Sequence, residues 1–490
     1  QVWQQVCSDA EACPCGRAQG QVDCFFTRAR RRLFKADIII TNHALLCADF
    51  AMNTGNGRDQ GILPAYAGLV IDEGHTFEQV AATHLGARVG NFDIIAMLNR
   101  LYHPRHHRGL LQGCEAAEGA REAAIALWQA AAAFFDHLQN WLEQQDENPL
   151  AYEHAGHVPN ELAEPLAHLA EQLAPVLDQP ELDADRKREL RAMHKRLQEL
   201  RQGFDNFLNM RLADHVYWFE RYGRDRRYVS LNAVPVEVAP LLEDILFGQA
   251  FPVVVTSATM AVNHKLDHFR RRLGCHDADE LILDTPFDFR QQVELFLPFN
   301  DMPDPRSDAD DYTQACCHHI REFLLKTHGK AFVLFTSYRQ MNTVAELLLD
   351  FFEQNELNLM VQGQNLQRSQ MLERFRADTD SVIFGTSSFW MGVDVPGEAL
   401  TNVIIVRLPF PVPSHPLVKA ICRRLEDHGR NAFRHYSLPE AVLLFRQGFG
   451  RLIRKHDDHG IIVVLDPRIL RKSYGKVFLN SIPDCTHQVF

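Results

Sequence analysis

No stretch of the 490 residues approaches the ~18–20 unbroken apolar positions that a membrane-spanning helix needs, so a helical membrane protein is not expected. A secretory leader is not expected either: Val2-Trp3-Gln4-Gln5 stands where a basic segment would lead into an apolar run. Positive charge is in short supply. The net charge of -12 excludes a chain-wide basic field, although local basic tracks are enough to bind phosphate. No internal repeat or low-complexity tract is present, which argues against solenoids and disordered linkers. A phosphate-cradling loop ending in Gly-Lys-Thr or Gly-Lys-Ser is also missing; Gly55-Asn56-Gly57 and Gln362-Gly363-Gln364 lack the lysine. Cysteine is sparse except at the start, where Cys7, Cys13, Cys15 and Cys24 supply four of eleven. In a large chain without a secretory signal such crowding reads as metal or iron–sulfur ligation rather than disulfides, and the cytoplasm is the expected compartment.

What remains is a soluble α/β chain long enough for about three domains at ~100–200 residues each. Short β-branched runs, Asp37–Thr41 and Gly68–Asp72, read as buried parallel strands. From about Val80 to Ala213 the pattern turns helical. One stripe joins Leu190, Met193, Leu197, Leu200, Phe204 and Phe207; another joins Leu162, Leu166, Leu169, Leu173 and Leu177; the stretch Ala123–Leu142 forms a third. A hairpin is expected from Val216–Phe219 and Tyr228–Leu231 across the turn Gly223–Arg226. Next comes an apolar strand ending in Thr256-Ser257-Ala258-Thr259. Beyond it, Ala331–Thr336, Ser381–Gly385, Asn402–Arg407 and Gly460–Asp466 alternate with helical segments, the rhythm of a second parallel sheet. Pro298, Pro303 and Pro305 suggest a boundary between the two halves at about 297–306.

The most informative string is Val70-Ile71-Asp72-Glu73-Gly74-His75. A strand that delivers two carboxylates at its C-terminal end suits a nucleoside-triphosphate site. One carboxylate holds Mg²⁺ through water and the next orients or deprotonates the attacking water. The same pair also reads as a helix N-cap with a solvated glutamate. Ser257 and Thr259 place small hydroxyls at the end of another strand, where they could couple two domains. Phe384-Gly385-Thr386 through Met391-Gly392-Val393-Asp394 repeats the strand-then-glycine layout. Gln447, Arg451 and Arg454 follow at helical spacing of four and three; two guanidiniums on one face suit developing γ-phosphate charge, or a plain salt-bridged surface.

In this order the strings resemble motifs II, III, V and VI of superfamily 2 helicases. They are more similar still to the XPD-like iron–sulfur helicases, DinG/YoaA branch. Ala36-Asp37-Ile38-Ile39-Ile40-Thr41-Asn42-His43, Leu334-Phe335-Thr336-Ser337-Tyr338 (motif IV) and Arg407-Leu408-Pro409-Phe410-Pro411 carry the closer likeness. The resemblance implies two RecA-like parallel-sheet motor domains, a helical arch insertion and a small Cys-rich segment. The corresponding ranges are 1–35 (Cys-rich), 36–83 and 214–296 (first motor domain), 84–213 (arch) and 297–490 (second motor domain). It implies ATP and Mg²⁺ at Asp72 and Glu73, and coupling through His75, Ser257 and Thr259. Gly392, Asp394 and Gln447 would line the far wall of the cleft, with Arg451 and Arg454 at the γ-phosphate. The branch commonly carries Glu where this chain has Met391.

The resemblance also implies a [4Fe–4S] cluster held by Cys7, Cys13 and Cys24, with Cys15 as a further thiol; zinc is the chemical alternative, since four thiolates suit it equally. Phe25, Arg28, Arg30 and Arg31 interleave aromatic and basic groups beside that segment, as single-stranded DNA contact or as a solvated basic face. His103–His107 and Cys316–His319 read as surface. The expected activity is DNA unwinding from the five-prime toward the three-prime end, in repair or replication. Its substrates would be single-stranded and duplex-junction DNA, with repair or replication proteins as partners. The alternative is a non-catalytic nucleic-acid- or partner-binding module. In the family the phosphate loop precedes the cysteines, so the chain is expected to be the C-terminal portion of a longer protein that hydrolyses ATP negligibly by itself.

Overall fold

The computed structural model describes residues 25–53, 61–180, 182–223, 226–298, 302–306, 309–364, 366–378, 380–390, 395 and 397–490. They divide into two compact units. One runs through Ile71, then Thr76–Val255 and Pro413–Ile421; the other joins Asp72–His75, Thr256–Val412 and Cys422–Phe490.

The first unit contains α1 (Phe25–Leu33), α2 (His43–Asn53), β1 (Leu69–Ile71), α3 (Phe77–Leu85), β2 (Ala87–Gly90), α4 (Asn91–Leu101) and α5 (Glu118–Glu143). There follow β3 (Leu150–Ala151), α6 (Ala163–Leu177), α7 (Ala184–Leu208), β4 (His215–Tyr222), β5 (Tyr228–Pro235) and β6 (Val253–Val255). The three apolar stripes become α5, α6 and α7. Asp183 caps α7 by accepting from the amides of Asp185 and Arg186 at 3.1 and 2.8 Å, and Leu190, Met193, Leu197, Leu200, Phe204 and Phe207 are all buried. Strands β2, β5, β4 and β3 form an antiparallel sheet in that order, with Phe219 opposite Leu231 in the hairpin. Tyr217, Phe219, Val229 and Leu231 join the same buried cluster as the helices. The insert and the hairpin therefore share one core, and the arch-like body extends past the expected limit at 213 to about Pro235.

Strands β1 and β6 pair in parallel, Leu69 opposite Val253, as a sheet of two. The segment 37–41, expected as a third buried strand, is not a strand, and Ile38 and Ile40 are exposed. An extended segment becomes a strand only where a neighbour takes its backbone hydrogen bonds, and among the described residues none does so here.

The second unit contains α8 (Asp267–Leu273), β7 (Val293–Leu297), α9 (Ala309–Thr327), β8 (Ala331–Leu334), α10 (Tyr338–Leu347) and β9 (Asn358–Val361). It continues with α11 (Arg368–Ala377), β10 (Ser381–Gly385), β11 (Asn402–Ile405), α12 (Leu438–Phe449), β12 (Gly460–Val464) and β13 (Thr486–Val489). All seven strands are parallel, in the order β13-β7-β12-β11-β8-β10-β9. Phe332, Leu334, Ile383, Val403, Ile405 and Ile462 face one core, while Val333, Phe384, Ile404 and Val463 face the other. Burial on both faces explains why these strands read as continuous apolar runs. Because β7 sits between β12 and β13, Pro298, Pro303 and Pro305 lie inside this unit rather than between the two.

Candidate nucleotide site

Strand β1 ends by delivering Asp72 and Glu73, both exposed. Glu73 adopts φ +51°, a left-handed conformation that a non-glycine residue holds only where its surroundings impose it. The Gly74 amide donates to the Thr256 carbonyl at 2.9 Å, joining the two strand ends. Side chains repeat the link. The Thr256 hydroxyl donates to Asp72 Oδ1 at 2.8 Å, and the Ser257 hydroxyl donates to Glu73 Oε2 at 3.3 Å.

His75 extends the network inward. Its Nδ1 lies 2.7 Å from Ser257 Oγ, 3.3 Å from Glu73 Oε2 and 3.4 Å from Thr259 Oγ1. Ser257 Oγ also accepts from the Thr259 amide at 3.1 Å. From α12, Gln447 Nε2 donates to Thr259 Oγ1 at 3.2 Å. A continuous polar path thus runs from Glu73 through His75, Ser257 and Thr259 to Gln447. The Glu73 end is open, with its side chain 61% exposed against 9% for His75. At the other end Gln447 is buried, and its Oε1 has no hydrogen-bond partner among the described residues.

The three residues expected on one helical face part company. Helix α12 ends at Phe449, so Gln447 is helical whereas Arg451 and Arg454 lie in the turns that follow. Gly448 explains part of this packing: a Cβ there would come within 2.8 Å of the Trp390 ring, so glycine lets the indole lie against the helix. Arg451 is buried and donates from Nε and Nη2 to the Trp390 carbonyl at 3.1 and 2.8 Å. Arg454 is exposed, and Asp458 shapes its loop by accepting from the amides of Arg454 and Lys455 at 2.7 and 2.8 Å. Met391, Gly392 and Asp394 lie outside the described residues.

Several members of the site escape a sequence reading. Arg446 donates to the carbonyls of Ala258 and Ala261, and burial lowers its pKa. Gln362 accepts from the Thr386 amide at 2.7 Å and donates to the hydroxyls of Tyr338 and Ser388 at 2.7 and 2.9 Å, tying the 334–338 string to the 384–388 string. Its sequence signal is only a glutamine just after strand β9. His43, within the Thr-Asn-His string, lies edge-on to Phe77 with ring centroids 5.3 Å apart and sits 3.3 Å from the Thr76 hydroxyl.

Cys7, Cys13, Cys15 and Cys24 lie outside the described residues. Among the described cysteines, burial pushes Cys47 up to about 12 and Cys317 and Cys485 up to about 11, so these are packing thiols. Only His318, His319 and Glu322 gather at metal-ligand distances among the described residues, and Lys326 holds the Glu322 carboxylate at 3.1 Å. Helix α1 has no buried residue. Phe25, Arg28 and Arg31 are exposed, Arg28 lies over the Phe25 ring at 5.4 Å, and Arg30 donates to the Ile62 carbonyl at 3.3 Å.

A family model described as the helicase C-terminal domain matches residues 320–485. The ATP-dependent DNA helicase YoaA of Haemophilus influenzae is 29% identical over 497 residues, covering 98% of this chain and 72% of that protein. The ATP-dependent DNA helicase DinG of Photobacterium profundum is 29% identical over 518 residues, covering 98% and 73%. A solved XPD helicase superposes with a TM-score of 0.59 at 15% identity, over 94% of this chain and 74% of that one, a likeness of fold. No helix among the described residues is long and apolar enough to cross a membrane.

Proposed function

We propose that this chain is an XPD-like helicase of the DinG/YoaA branch and works as an ATP-dependent DNA helicase motor, a reading supported by the helicase C-terminal domain match and by the likeness to YoaA and DinG. The observation that carries the reading is the polar path from Glu73 to Gln447. It gives the acidic end of β1 a physical means of sensing the helix that leads to Arg451 and Arg454. In this reading Asp72 would hold Mg²⁺, which would offset phosphate charge, while Glu73 would orient and deprotonate the attacking water. His75, Ser257 and Thr259 transmit the state of that site to Gln447. Arg454 meets the developing γ-phosphate charge, and Arg451 orders the chain at Trp390, which precedes Gly392 and Asp394 in sequence.

The finer parts belong to the same proposal. Cys7, Cys13 and Cys24, with Cys15 completing the set or replacing one of the three, would hold a [4Fe–4S] cluster. Phe25, Arg28, Arg30 and Arg31 contact single-stranded or junction DNA beside it. Translocation runs from the five-prime toward the three-prime end, in repair or replication.

One observation favours a second reading, a nucleic-acid- or partner-binding module without catalysis. These 490 residues contain no Gly-Lys-Thr or Gly-Lys-Ser string. Without amides and a lysine on the β- and γ-phosphates, Asp72 and Glu73 have no ordered triphosphate to act on. The 490 residues alone are therefore expected to hydrolyse ATP negligibly. The full-length gene product decides between the readings. DNA-stimulated ATP hydrolysis and unwinding of a five-prime-tailed duplex, both lost in Glu73→Gln, support the helicase; DNA binding without any turnover supports the module.

A further inference from the structure

The polar path reaches α12 at Gln447, near the helix's C-terminal end, where Arg446 also donates to the carbonyls of Ala258 and Ala261. A second attachment lies at the other end. Glu440 and Gln447 are seven positions apart, on the same face and about 10 Å along the axis at ~1.5 Å per residue. Glu440 Oε1 lies 2.7 Å from Nε2 of His268, which belongs to α8, a few residues beyond Thr259. The other ring nitrogen, Nδ1, lies 3.2 Å from the His435 carbonyl oxygen in the turn before α12. Each ring nitrogen of His268 therefore faces an acceptor on the α12 side, and the imidazole is buried.

Arg272 stands one turn further along α8, on the face that carries His268. It lies over the Tyr436 ring at 5.0 Å, beside the start of α12. The charges around Glu440 agree with this arrangement. Burial raises its pKa, but His268, by hydrogen bond and charge, and then Arg272 and His75 outweigh that and hold it low. His75 is thus electrostatically linked to both attachments, through Thr259 to Gln447 and through space to Glu440.

We propose that the His268–Glu440 pair is a positioning element for the motor: it sets the axis of α12, so that Gln447 stays on Thr259 and the turn carrying Arg451 and Arg454 is presented in a fixed orientation. The claim rests on the helicase reading for its catalytic consequence, and on the geometry alone for its mechanical one. Without the pair, the polar contacts that orient α12 against the 258–261 segment lie only near its C-terminal end, at Arg446 and Gln447, and a misplacement of about 1 Å near reacting groups can cost ~10²-fold in rate. The pair therefore acts on the chemical step and not on the grip on DNA.

The test uses the full-length gene product with Glu440→Gln, His268→Asn and the double variant. Each single change is expected to lower the kcat of DNA-stimulated ATP hydrolysis about tenfold to a hundredfold. KM for ATP and the affinity for single-stranded DNA should stay within about twofold, and the double variant should be no worse than the single ones, because the changes break one linkage. Amide exchange over 438–449 should quicken in Glu440→Gln while that of the central strands β8 and β11 is unchanged. Unchanged kcat in both single variants overturns the proposal, as do losses that multiply in the double variant or that fall equally on DNA affinity. If the unaltered protein shows no turnover, the helicase reading fails. The exchange measurement then decides the positioning claim: faster exchange over 438–449 supports it, and unchanged exchange overturns it.

Discussion

Arg451 and Arg454 share a sequence motif, yet their surroundings predict opposite behaviour. Arg451 is buried with two N–H groups on the Trp390 carbonyl, so Arg451→Ala leaves a buried acceptor without its donors, at roughly 1–3 kcal/mol. A denaturant midpoint should fall accordingly, and activity should fall with it. Arg454 is exposed, and Asp458 holds its loop through backbone amides that survive truncation of the side chain. Arg454→Ala should therefore leave the midpoint in place while cutting turnover by the ~10³–10⁵ attributed to arginine fingers, with DNA affinity retained. Equal losses of stability at both positions would assign both to folding. Glu440 offers a prediction in pH. Its carboxyl is held below its ordinary value in the folded protein, so its contribution to stability is complete above the ordinary glutamate range and fades as pH falls below it. Unfolding measured from pH 7 down to 3 should show a steeper acid decline for the unaltered protein than for Glu440→Gln. Because the carboxylate remains about a third exposed, solvent screens the pair and the difference should be modest.

Among elements, α12 shows how tightly the arginine turns depend on packing. A Cβ at Gly448 would approach the Trp390 ring to 2.8 Å and the Leu334 side chain to 3.2 Å, both in the core of the seven-stranded sheet. Gly448→Ala should cost on the order of 1–3 kcal/mol through overpacking, despite the better helix propensity of alanine. A stability equal to or above that of the parent would mean that the indole moves aside freely. The same region marks what could be read in advance. Strands β8, β10, β11 and β12 were legible because burial on both faces makes them near-continuous apolar runs. Strands β9 and β13 were not: they are the edges of the sheet, and Thr486-His487-Gln488-Val489 is exposed and mostly polar. The helical stripes at 162–177 and 190–207 were legible because a periodicity of three and four needs no tertiary partner. The end of α12 was not, since spacing of four and three continues through Arg451 and Arg454 although the helix stops at Phe449. Within the site, the acidic pair and the Ser257/Thr259 string were visible as motifs. Gln362, His268 and Glu440 were invisible, because each takes its meaning from a residue distant in sequence.

Across the molecule the two parallel sheets differ in how completely their strands are partnered. The second unit buries β8, β10 and β11 between two apolar layers. The first unit's parallel sheet has two three-residue strands, with Val70 68% and Val254 51% exposed, and Ile38 and Ile40 also exposed. Two short strands with apolar side chains facing water are marginal by themselves, because neither the hydrogen-bond ladder nor the burial suffices to offset the ordering of the backbone. Opening of β1 and β6 should therefore need only a small fraction of the free energy of global unfolding. In the 490-residue chain, the amides of Ile71 and Val254 are expected to exchange orders of magnitude faster than those of Val333 and Ile404. An apolar dye should also bind, and should bind less after Val70→Lys with Val254→Lys, because those side chains supply part of the wetted surface. Equal protection of the two sheets would mean that β1 and β6 are supported by more than their mutual pairing. The acidic pair depends on the answer, because Asp72 and Glu73 follow directly on β1 and Thr256 directly on β6. A strand pair that opens readily would release the Thr256–Asp72 and Ser257–Glu73 hydrogen bonds together, so slow exchange at Ile71 and Val254 is a physical requirement for a fully formed acidic end.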